Sequence, residues 1–123
     1  MRLARLAVGE VELDVEFFDS PCAGEIYDLL PIETPFSTWG DEFYFHVHYK
    51  GDLDDTATTR VRVGDIGYWP PGGALAVFFG PTPASTSGDP VPASEVNLVG
   101  RIKGDATLLR KAADARGIKI ERI

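Results

Sequence analysis

The chain is poor in the residues from which most recognisable sites are built. Of its 123 residues one is cysteine, Cys22, and two are histidine, His46 and His48. A single cysteine excludes a disulfide framework and fits a reducing cytoplasm, the expected location. Basic residues are scarce, 12 against 19 acidic ones for a net charge of −7, and no arginine occurs from Leu6 through Thr59. A surface of that sign repels phosphate backbones and argues against a nucleic-acid partner. No apolar run reaches the length of a signal peptide core or a membrane span, so no membrane partner is expected. The Ser-His-Asp order, the phosphate-cradling glycine loop and the dinucleotide fingerprint are all missing.

What the chain has is alternation, aromatic rings and rigid turns. Leu3 to Val8 and Val11 to Phe17 flank Gly9-Glu10, a two-residue hairpin loop. Val11, Leu13, Val15 and Phe17 share one face of the second strand and Glu12, Asp14 and Glu16 the other. Ser20 and Pro21 open a helix that Pro31 stops, and Asp105 opens a second that Gly117 closes. From Glu42 to Tyr49 the alternation returns, with Phe43, Phe45 and Val47 facing one way and Glu42, Tyr44 and His46 the other. Gly51 to Thr56 reads as a hairpin loop with Thr58 to Val63 as its returning strand. Ile66 to Trp69, Ala74 to Phe79, Glu95 to Ile102 and Ile118 to Arg122 supply the remaining strands. Between two of them Pro70-Pro71-Gly72-Gly73 makes a stiff turn, because proline fixes φ and glycine reaches φ > 0. Residues 80 to 94 form the longest irregular loop, of a length that is often functional.

These elements predict one domain, residues 1–123, of the mainly β class. About eight antiparallel strands avoid exposed edges by closing into a barrel, with two helices at its ends. The interior of so small a barrel is packed, so a site must lie on the outer wall or rim.

His46 and His48 put two imidazoles on one strand face, as a metal site would. The surrounding glycines and prolines resemble the two sequence blocks of cupins, but Leu75 stands where a third histidine ligand is needed. No metal and no cofactor is therefore expected, and the pair reads as solvated surface. Cys22, near a helix start, reads as a small buried residue because no histidine is near it in sequence to act as its base. Glu42 alone among the acids sits in apolar company, beside Trp39, Phe43 and Tyr44. Trp39 lies next to Gly40 outside a regular strand, and Tyr44 on the polar face of its own; exposed rings near rigid turns suit recognition.

The chain is similar to the small prokaryotic cyclophilin-like proteins in five stretches. They are Leu30-Pro-Ile-Glu-Thr34, Thr38-Trp-Gly-Asp-Glu42, Gly64-Asp-Ile-Gly-Tyr-Trp-Pro-Pro-Gly72, Phe78-Phe-Gly-Pro-Thr-Pro83 and Asn97-Leu-Val-Gly-Arg-Ile102. The resemblance implies a closed eight-stranded antiparallel barrel capped by two helices, with a peptide or small-ligand groove on its outer wall. It places Phe79 at the pocket floor, Trp39, Glu42 and Tyr44 along the rim and Asn97 as a polar anchor. A proline-containing peptide or a small ligand is the implied partner. The catalytic arginine of the cyclophilin isomerases has no counterpart, since Phe45-His46 is followed by Val47. No catalytic residue is assigned, and isomerase activity is expected to be weak or absent. A functional prolyl isomerase and a cupin-like metal or small-molecule enzyme stand as the alternatives.

Overall fold

The computed structural model describes residues 1–123. The hairpin at Gly9-Glu10 joins β1 (Arg2–Val8) to β2 (Val11–Phe17) in register, Val8 opposite Val11 and Arg2 opposite Phe17. Ser20 accepts a hydrogen bond from the Ala23 amide and caps α1 (Pro21–Asp28), whose Cys22, Ala23 and Ile26 enter the core. Then come β3 (Ile32–Thr34), β4 (Ser37–Thr38), β5 (Glu42–His46) and β6 (Ala57–Thr58). They are followed by β7 (Asp65–Trp69), β8 (Ala74–Phe78), β9 (Val96–Lys103) and β10 (Ile118–Arg122). No helix is long and apolar enough to cross a membrane.

All ten strands belong to one sheet in the order β3-β10-β1-β2-β9-β7-β8-β5-β4, with β6 attached to β9, and every pairing is antiparallel. The sheet wraps a core of 25 buried residues, with Leu6, Val15, Phe17, Phe43, Phe45, Ile66, Leu75 and Val77 among them. Its inward faces are those the alternation predicts: Phe43, Phe45 and Val47 are buried while Tyr44 and His46 are exposed.

Three expectations are corrected. The sheet is not closed into a barrel, because its outer strands β3 and β4 do not pair. They are joined only by Pro35-Phe36, and a two-residue hairpin needs φ > 0 at its first central residue, which proline cannot reach. The expected second helix is present, as the 3-10 segment Ala106–Ala112, capped by the Asp105 carboxylate on the Thr107 amide. Gly117 does not close it; it lets the chain pass Thr34, whose carbonyl oxygen a Cβ would meet at 3.0 Å. The returning strand after the acidic loop shrinks to β6 and pairs with β9 instead of β5.

The five residues of β8 are all buried. Leu75 and Val77 face the main core, whereas Ala76 and Phe78 join Val61 and Val96 in a second, smaller cluster. The outer wall of this sheet therefore carries an apolar layer of its own.

Candidate functional site

That outer layer contains a concavity of about 220 Å³ lined by ten residues, eight of them apolar. Small and large side chains alternate to make it. Across the β5–β8 ladder Tyr44 lies opposite Ala76 and Glu42 opposite Phe78. Ala74 and Ala76 leave space along the strand and Phe78 ends it. Trp69 from β7, Val96 from β9, and Pro92 and Ala93 from the long loop complete the wall with Trp39.

Each ring is placed by local chemistry. Trp69 ends β7, and its indole Nε1 donates to Ser94 Oγ at 2.6 Å. Gly72, in the 3-10 turn Pro70–Gly72, lies beneath that ring; a Cβ there would sit 2.7 Å from Trp69 Cζ3. Trp39 is held by its amide, which donates to the Glu42 carbonyl. Gly40 turns the chain at φ 60°, and a Cβ on it would lie 2.9 Å from the Pro81 carbonyl oxygen. Neighbouring Asp41 pairs with Arg110 at 2.8 Å and accepts from the Phe79 amide through its carbonyl. The long loop is held against this turn by the Asp41 amide, which donates to the Pro81 carbonyl at 2.9 Å, and is tied to itself by Thr82, whose hydroxyl donates to the Val91 carbonyl and whose amide donates to Ser85 Oγ.

Glu42 is the electrostatic anomaly. It is 7% exposed; its carboxyl makes no hydrogen bond or ion pair with the protein, and its oxygens keep contact with solvent. Burial alone pushes that carboxyl up to about 7, because desolvation penalises the anion. No arginine or lysine lines the cavity. Arg110 is engaged with Asp41, and Arg101 with the buried Asp65 at 3.0 Å.

Of the five residues the sequence singles out, Trp39, Glu42 and Tyr44 come together on this wall. Phe79 does not; it is 2% exposed and packs on Phe43 inside the main core, with ring centroids 4.6 Å apart. Phe78 takes the place on the wall. Asn97 is also turned away: Val96 faces the cavity, and Asn97 lies buried on the opposite side of β9. It donates to the Asp52 carbonyl at 3.0 Å and accepts from the Asp54 amide at 2.9 Å, tying the acidic loop to the sheet. The sequence reading missed Trp69, Phe78, Ala74, Ala76, Pro92, Ala93 and Val96. Strand parity with Tyr44 identifies the β8 residues only once the β5–β8 register is known.

The other candidates gather no chemistry. His46 and His48 stack edge-on at 5.7 Å, and no three His, Cys, Asp or Glu side chains assemble into a metal-sized group. Leu75 faces the core, so a histidine at that position would lie on the wrong side of the sheet. Cys22 is buried beside Asn97, and desolvation raises its thiol, which leaves it unreactive.

A model of the cyclophilin-like family matches residues 1–121. The fold is similar to the solution structure of a hypothetical protein from Archaeoglobus fulgidus, with a TM-score of 0.80. The two sequences are 34% identical, over 99% of this chain and 95% of that one. Nothing among curated proteins matches.

Proposed function

The chain belongs to the cyclophilin-like family, and from that premise we propose that it is a ligand-binding member whose prolyl isomerase activity is weak or absent. The observation that carries this reading is the ring-lined concavity on the outer wall, to which no basic side chain contributes. Prolyl isomerisation twists an amide with a barrier of about 18–20 kcal/mol, and a charged donor aimed at it stabilises the twisted state. Here the single charged group among the lining residues is an acid, Glu42. At about 220 Å³ the cavity is smaller than the roughly 300–1,000 Å³ of drug-sized sites, so it suits one compact group of a peptide or small molecule.

The test pairs activity with occupancy. Uncatalysed prolyl exchange takes tens of seconds or longer at about 25 °C, so modest turnover is visible in a coupled peptide assay. We expect rates near background. We expect ligands, proline-containing peptides included, to perturb the indole signals of Trp39 and Trp69, and Ala76→Leu, which fills the cavity, to abolish the perturbation. Strong turnover that Ala76→Leu removes would establish an isomerase instead.

A further inference from the structure

Resting on that binding reading, we infer that the compact group received by the concavity is a small organic cation, an alkylated ammonium on a small molecule, held between Glu42 and the rings around it. Four aromatic side chains, Trp39, Tyr44, Trp69 and Phe78, line a largely apolar cavity together with one carboxyl, that of Glu42. A ring face attracts a cation through its quadrupole, and aromatic enclosures select quaternary ammonium groups for that reason. The protein's own cations go elsewhere: Arg2 and Arg122 lie over Tyr27 and Arg101 over Phe18, and none lies over the four cavity rings. Nor does any of the four stack on another ring. The four rings thus carry neither a cation nor another ring, and the carboxyl has no partner from the protein.

The wall is unfavourable for the Glu42 anion, since burial opposes its ionisation. A permanent cation removes that penalty and gains the ring contacts, whereas a neutral ligand of the same shape gains only the contacts. A quaternary ammonium also has no proton to donate, so it needs no hydrogen-bond acceptor in the cavity. The net charge of −7 draws cations towards the surface.

Binding then follows the ionisation of Glu42. The other ionisable side chain lining the cavity is Tyr44, on the same strand. From β7, β8, β9 and the long loop come Trp69, Ala74, Ala76, Phe78, Val96, Pro92 and Ala93, none of which titrates. Nearby, Asp41 is paired with Arg110, His46 lies further along the outer face of β5 against His48, and Glu95 is exposed beside Val96.

The experiment titrates the full chain with choline and with its uncharged carbon isostere 3,3-dimethylbutan-1-ol, following the Trp39 and Trp69 indole resonances. At about pH 8.5 choline should bind at least about tenfold more tightly than the isostere, and the advantage should shrink below about threefold at about pH 5.5. In Glu42→Gln the advantage should fall below about threefold at both values and lose its pH dependence, leaving only what the rings supply. Equal affinity of the two compounds overturns the inference while leaving the binding reading intact, as does binding of a prolyl peptide alone. No response to choline, the isostere or any prolyl peptide overturns both. Should Glu42→Gln not fold, the wild-type comparison at the two pH values decides by itself.

Discussion

Glu42 concentrates at one residue the tension between fold and site. Its backbone belongs to the ladder with β8, but its carboxyl lines an apolar cavity, largely desolvated and with no partner from the protein. The folded protein raises this group from 4.5 to about 7. Below the unfolded value both states are protonated and nothing is lost. As pH rises towards 7 the unfolded chain ionises first, so the unfolded state binds fewer protons and stability falls. The shift corresponds to up to about 3 kcal/mol, fully expressed above pH 7. Chemical denaturation of wild type and Glu42→Gln should therefore show stabilities that diverge by that order between about pH 4.5 and pH 8, the wild type losing more. Parallel curves would mean that the carboxyl is solvated in the free protein.

At the scale of elements, what the sequence makes legible is what alternates. In β2 and β5 polar and apolar residues take opposite faces, and their inward residues are recognisable by period alone. In β8 the run Ala-Leu-Ala-Val-Phe is apolar on both faces, so parity carries no label and Phe78 and Phe79 exchange roles in a reading by resemblance. Asn97 illustrates a second limit. A polar residue in an apolar strand points to a site or to a structural bond, and only the fold tells which, here by bringing Asp52 and Asp54 to it. Asn97→Ala should cost about 1–3 kcal/mol, because the Asp54 amide and Asp52 carbonyl lose their partner away from bulk water. Hydrogen exchange at Asp54 should accelerate by more than that at Trp69, and the cavity should bind as before. Loss of ligand binding in Asn97→Ala with the loop still protected would return Asn97 to the site.

For the whole molecule, the seam between β3 and β4 matters most. Closure was legible as a need, since many alternating strands must hide their edges, but how it is met was not. The two edges meet through the covalent chain at Pro35-Phe36, with Phe36 packed on Phe43 at 4.4 Å, instead of through a ladder. A short β3 of three residues and a β4 of two leave little edge to aggregate on. Such a seam opens locally, whereas β9, paired with β2, β6 and β7, opens only with the whole sheet. Amides in the segment Ile32 to Thr38 should accordingly exchange at least about 100-fold faster than those of Val96–Lys103. Equal protection would show that the edges pair in solution and that the sheet is a closed barrel. The seam also reaches the candidate site, because Trp39 directly follows β4 and its turn is pinned by Gly40 against the Pro81 carbonyl. Occupying the cavity fixes Trp39, and so should slow exchange in Ser37 and Thr38 while leaving Ile32 to Thr34, anchored on β10, unchanged. Slowing of both halves alike would instead place the ligand's effect on the fold as a whole.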